Sequence, residues 1–194
     1  MNKNNFGGIM FKLYTKQDAP TEAHHLIEQS IKTYSFLPNL HAVVAEAPIA
    51  YEAYLTTFSL FESKSHFTPL EQQIVFQTAN YENECNYCMP GHTMLMTMMK
   101  MPQGVIEALR EGTPIQDWKL ETLRRFAREL ITSRGHVSKK SYEDFREVGY
   151  TNQHALEILV GLASKLISNY TNSMANTPLD EPVKSYAWIH PSKR

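Results

Sequence analysis

Residues 84–92, Glu84-Cys85-Asn86-Tyr87-Cys88-Met89-Pro90-Gly91-His92, gather the side chains able to do chemistry. Cys85 and Cys88 are the two cysteines of the chain. At C-x-x-C spacing two sulfurs can close a small disulfide ring when the first sits at a helix start. There the unpaired backbone N–H groups and the helix dipole favour a thiolate. His92 follows Cys88 by one helical turn, so on a continuing helix the two side chains share a face. An imidazole so placed can exchange a proton with a sulfur nucleophile. Two other readings stand beside this one. The thiols form an inert buried pair, or they join His92 in a zinc site completed by His41 or His66 from elsewhere in the fold.

The elements that must position these residues read as helices. Glycine is sparse, at 8 residues, and the apolar periodicity is helical almost throughout. Helices are expected over residues 21–34, 38–46, 48–62, 69–83, 85–99, 103–110, 117–134, 138–148 and 151–175. Thr68-Pro69-Leu70-Glu71 marks a start with a capping threonine, a proline in the first turn and a glutamate closing a capping box. The 151–175 helix is apolar on a broad face and is expected to be central. From Thr177 onward prolines mark an extended tail, whose Tyr186, Trp188 and Ile189 should pack on this chain or a neighbour. The reading is a single all-α domain over residues 1–194, of about eight helices, with its redox motif at 84–92 and its tail at 177–194. Thioredoxin-like folds also use C-x-x-C, but on a βαβ background that is missing here.

On the helix before the motif, Gln73, Gln77, Asn80 and Glu84 fall along one stripe. The stripe is either a solvated face or a polar path toward the cysteines, with Glu84 as its acid. Tyr87 is either a member of the site or an aromatic packing on the next helix. Six methionines between Met89 and Met101 read as adaptable core, or as the lining of an apolar pocket.

Composition narrows the classes. Hydrophobic residues make up 42% and charged residues 20%, which excludes wholesale disorder, and the formal net charge of −1 builds no basic field for nucleic acid or an anionic membrane. No stretch reaches the roughly 18–20 apolar residues of a membrane span. Residues 1–17 lack the apolar run of a secretory leader. The expected location is the cytoplasm, where thiols are kept reduced and a close cysteine pair is reactive or metal-binding rather than structural.

Cys85-Asn86-Tyr87-Cys88 with His92 resembles the C-x-Y-C-x-x-x-H signature of the alkylhydroperoxidase D-like, carboxymuconolactone decarboxylase superfamily. Leu70 to Phe76 is similar to that family's helix before the site, and the likeness extends over residues 68–100. The resemblance implies an all-α fold, homo-oligomeric assembly and thiol-dependent reduction of hydroperoxides; no cofactor or metal is expected. Carried over, Cys88 would attack the peroxide, Cys85 would resolve the sulfenic acid to a disulfide, His92 would serve as base and then acid, and a dithiol protein would reduce the ring. The family often places a glutamate where this chain has Gln73, which cannot take up a proton at neutral pH. Small helix formers often stand in the family at the positions of Met89, Pro90 and Gly91. Relatives of the decarboxylase type share the fold, act on a lactone acid and do not depend on a C-x-x-C pair. The competing classes are therefore a peroxidase or disulfide oxidoreductase, a lactone decarboxylase, and a metal-binding or structural helical protein.

Overall fold

The computed structural model describes residues 11–194, so the sequence reading of the N-terminal leader falls partly on residues 1–10, outside the described residues. Among the described residues there are nine α-helices and no strand. They are α1 (His24–Tyr34), α2 (Asn39–Val44), α3 (Pro48–Lys64), α4 (Pro69–Glu82), α5 (Cys88–Met98), α6 (Gln103–Glu111), α7 (Trp118–Thr132), α8 (Lys139–Glu147) and α9 (Asn152–Ala175). Four of the starts, those of α4, α7, α8 and α9, carry side-chain caps. Thr68 and Glu71 form the expected capping box, and Asp117, Ser138 and Thr151 accept from the backbone N–H of Leu120, Ser141 and His154. Gly112 ends α6 at φ 70°, and a Cβ there would stand 2.1 Å from the Tyr81 hydroxyl, so both conformation and space require glycine.

α4 is the centre of the molecule. Its residues from Glu71 to Asn80 are all buried, and it packs against α5, α6, α7 and α9. Phe61, Phe76, Leu123, Phe126, Phe145 and Ile158 fill the space around it. Phe126 stacks on Phe145 at 4.0 Å between centroids, and Phe145 on Tyr150 at 4.7 Å. A second cluster joins α1 to Val44, Ala45 and Tyr51.

α9 does not bury the face that hydropathy suggested. Its buried residues are Ile158, Gly161, Ser164, Lys165, Ser168, Asn169 and Asn172. Leu156, Leu159, Leu166, Tyr170 and Met174 are 46–66% exposed. The polar stripe turns inward because the buried amides of α4 need partners, and a buried polar group without one costs about 1–3 kcal/mol. Gly161 lets α9 approach α3, where a Cβ would stand 3.1 Å from the Phe61 ring. Tyr51, Tyr54 and Phe61 of α3 are buried inside this chain, and Phe58 stacks on Phe76.

The tail is less extended than expected. It forms 3₁₀ turns at Glu181–Tyr186 and Pro191–Lys193, and it packs on its own chain. The Trp188 Nε1–H donates to the Arg110 carbonyl at 2.9 Å, while the Arg110 guanidinium donates to the carbonyls of Tyr186 and Ala187 at 3.1 and 3.2 Å. The same tail clamps the loop before α5. The Tyr87 hydroxyl donates to Asp180 and accepts from the Leu40 N–H at 3.1 Å, and Asp180 accepts from the Asn39 N–H at 2.9 Å. Tyr87 thus ties together the motif, the start of α2 and the tail. Among the described residues no helix is long and apolar enough to cross a membrane.

Two outcomes follow from this packing. Tyr87→Phe strips Asp180 of its phenol donor and orphans the Leu40 N–H, so urea unfolding should show a loss of about 1–3 kcal/mol. An unchanged midpoint and slope would contradict the clamp. The second concerns His41, which is 2% exposed, bonded to Ser30 Oγ at 2.7 Å and ringed by Tyr34, Tyr51 and Tyr54. Burial lowers its pKa to about 3. The unfolded chain therefore binds a proton near pH 6.5 that the folded chain refuses. Stability from this group is complete above that pH and drains away as pH falls toward 3. Between pH 7 and 5.5 the folded protein should lose about 1 kcal/mol that a His41→Gln variant does not lose. Parallel curves for the two proteins would refute this.

Candidate functional site

The motif lies where α4 ends and α5 begins. Glu84 takes a left-handed backbone, φ 50°, and the Cys85 N–H bonds back to the Asn80 carbonyl at 2.8 Å. That turn delays the next helix. The helix start falls on Cys88, the second cysteine, and not on Cys85 as the spacing suggested. The Cys88 N–H donates to Cys85 Sγ at 3.2 Å, so the first sulfur caps the helix that the second opens. Pro90 is then the third residue of α5, where a missing N–H forfeits no helical bond.

Both sulfurs are buried, Cys85 4% and Cys88 5% exposed, and both are free thiols. Asn172 of α9 reaches over them, with Nδ2 3.2 Å from Cys88 Sγ and 4.0 Å from Cys85 Sγ. Burial works against a thiolate at Cys88. It is outweighed by the hydrogen bond from Cys85, the charge of Lys165 and the amides of Asn169 and Asn172, so the Cys88 thiol is held below its ordinary value. Cys85 is pushed up, chiefly by its hydrogen bond with Cys88 and then by burial. The surroundings thus favour a thiolate at Cys88 over one at Cys85.

His92 shares the neighbourhood but does not bond Cys88. Its Nδ1 lies 2.7 Å from Gln73 Oε1 and its Nε2 lies 3.1 Å from Lys165 Nζ. An ammonium only donates, so Nε2 accepts, and Nδ1 carries the proton given to Gln73. Burial, then the Lys165 charge, depress its pKa well below normal and keep the ring neutral. The expected proton exchange between His92 and Cys88 therefore has no direct hydrogen bond, both ring nitrogens being taken by Gln73 and Lys165. Nor do Cys85, Cys88 and His92 converge as metal ligands, and no group of three such side chains does so among the described residues. His41 is engaged with Ser30, and His66 with Glu157 at 2.6 Å.

The α4 stripe is buried rather than solvated. Gln73 holds His92, Gln77 donates to the Met89 carbonyl and Thr93 Oγ1 at 3.3 Å each, and the amides of Asn80 and Asn169 meet at 2.9 Å. Glu84 does not continue it. The left-handed turn swings its carboxylate outward to Lys193 of the tail. Tyr87 belongs to the clamp. Of the methionines, Met89 and Met96 are core and Met98 and Met99 are exposed, and two surface hollows of about 310 and 240 Å³ are lined by neither methionine nor cysteine.

Sequence reasoning missed Lys165, Asn169 and Asn172. Their signal was a lysine with amides four and seven residues later in a helix whose other charge is Glu157. That spacing puts all three on one face.

No protein-family model matches the chain, and no curated protein matches it. Solved structures do. An uncharacterized peroxidase-related protein with an alkylhydroperoxidase AhpD core, from Ralstonia eutropha JMP134, is 17% identical with a TM-score of 0.78, over 89% of this chain and 93% of that one. An uncharacterized peroxidase-related protein from Silicibacter sp. TM1040 is 14% identical with a TM-score of 0.74, over 90% and 92%. The debrominase Bmp8, as a cysteine-to-alanine variant in complex with 2,3,4-tribromopyrrole, is 15% identical with a TM-score of 0.75, over 92% and 96%. Shape is shared far beyond sequence, and the chain has the all-α fold of the alkylhydroperoxidase AhpD core.

Proposed function

We propose that this chain is a thiol-dependent peroxidase and disulfide oxidoreductase that works through Cys85 and Cys88. One observation carries the reading. The two buried sulfurs share one amide, Asn172, and differ in their hold on a proton. In the proposed cycle the Cys88 thiolate attacks the terminal oxygen of a hydroperoxide. The O–O bond breaks, the departing alkoxide takes a proton and leaves as an alcohol, and Cys88 becomes a sulfenic acid. Cys85 then attacks that sulfur, the S–S bond forms and water departs. A dithiol protein returns both thiols by exchange, in a reducing compartment such as the cytoplasm. The likeness to peroxidase-related structures supports this reading. A lactone decarboxylase would have no use for a polarised dithiol.

One equivalent of hydrogen peroxide should take the thiol titre of the reduced protein from two to none and lower its intact mass by about two units. Cys88→Ser should consume no peroxide. Cys85→Ser should turn over once and leave a sulfenic acid on Cys88 that dimedone traps. Two thiols surviving the treatment would refute the function, and a dead Cys85→Ser beside a working Cys88→Ser would reverse the two roles.

We also propose that the protein is a homo-oligomer joined through α9. Its outward face, Leu156, Leu159, Ala163, Leu166 and Tyr170, repeats at alternating steps of three and four and carries no charge. Such a seam suits a second copy of itself. Light scattering should give a multiple of 22.3 kDa at micromolar concentration, and Leu166→Glu should lower it. A monomer in both would sink the proposal.

A further inference from the structure

Lys165 is 1% exposed, in the middle of α9, and no carboxylate pairs with it among the described residues. A buried ammonium is costly unless an anion or a set of acceptors receives it. Its one side-chain hydrogen bond goes to His92 Nε2, a neutral acceptor, and the Phe76 ring lies 5.6 Å from Nζ. Neither balances its charge. Beside it the amide of Asn172 keeps Nδ2 on Cys88 Sγ and leaves its own buried Oδ1 without a partner. An amide facing an S–H would gain by turning its oxygen to the sulfur. One that orphans its oxygen to donate is serving an anion. Lys165, Asn169 and Asn172 share a face of α9, so one helix brings to the same side the cation and the amide that bonds Cys88, and the Lys165 charge favours the thiolate there.

We propose that Lys165 is the positioning cation that holds Cys88 as a thiolate, with the thiolate as its counter-ion and His92 as the strut that fixes its ammonium. Cys88 then needs no neighbouring base, since its proton is lost to solvent and the charge left behind is already matched. Gln73 fits this role, because it accepts from His92 Nδ1–H and adds no competing anion. The other titratable groups near the pair are consistent with it. Tyr54 of α3 and Tyr87 of the loop are pushed up and stay neutral. Glu62 of α3 is pushed up by burial and drawn down by Lys165 without pairing to it.

The proposal deepens the dithiol reading, yet it can be tested without peroxide. The rate of Cys88 alkylation by iodoacetamide, localised by peptide mass, is followed against pH in the reduced full chain. Wild type should react as a thiolate at neutral pH. Lys165→Met should move the midpoint up by about one to three units, and Lys165→Arg should restore most of the shift. Gln73→Glu supplies the second arm, should the lysine variants fail to fold. A carboxylate on His92 gives Lys165 a rival anion, so alkylation at neutral pH should slow. A missing-base account requires it to quicken. An unmoved profile in folded Lys165→Met, or faster alkylation in Gln73→Glu, would overturn the proposal. If the profiles move as expected while wild type leaves peroxide untouched, the peroxidase reading fails and the role of Lys165 stands.

Discussion

A charged nitrogen sealed at the meeting of α4, α5 and α9 constrains much of this molecule. Lys165 cannot be solvated where it lies, so its surroundings must supply polarity. Its one side-chain partner is His92, which Gln73 of α4 holds, and in the same polar layer Gln77 bonds Thr93, the amides of Asn80 and Asn169 meet, and Asn172 bonds Cys88. A network of this kind rigidifies its members only when nearly all of them are satisfied. Here the exception is Asn172 Oδ1, on the amide that bonds Cys88 Sγ. The orientation of α9 follows from the same constraint. A helix that must turn its polar stripe inward has to turn its leucines outward.

The frame around that network is ordinary hydrophobic packing. Phe126 of α7, Phe145 of α8 and Tyr150, just before the α9 cap, stack on one another, and the tail is held to α6 by Trp188 and Arg110. Tyr87 and Asp180 fasten the motif loop to both α2 and the tail. The loop that carries Cys85 is thus tied at several points, although its own backbone forms no regular element.

Helix existence was legible because it rests on local rules. Thr68 with Glu71, Asp117, Ser138, Thr151 and Gly112 announce their boundaries within a few residues of sequence. The start of α5 was not legible, because it depends on Glu84 adopting a left-handed turn and on a sulfur acting as a cap. The cysteines and His92 could be found by spacing, and Gln73 by its place upstream. Lys165 could not be found that way. It lies 73 residues from His92, and a lone lysine on a helix ordinarily points to water. Hydropathy also chose the wrong face of α9. It ranks single residues, whereas the buried face was selected by the hydrogen bonds α4 needed.

The burial of Lys165 also bears on redox equilibrium. On the role proposed for Lys165, its charge is matched by a thiolate in the dithiol form. Once the sulfurs join, the anion is gone, the Asn172 donor faces a poor acceptor and the ammonium is stranded in a low-dielectric pocket. Each such loss destabilises the oxidised form relative to the reduced one. A reduced form favoured in this way raises the reduction potential, by about 30 mV for each 1.4 kcal/mol in a two-electron couple. Electrostatics alone would therefore make this pair an oxidising one, readily returned to the dithiol state by a partner of modest reducing strength.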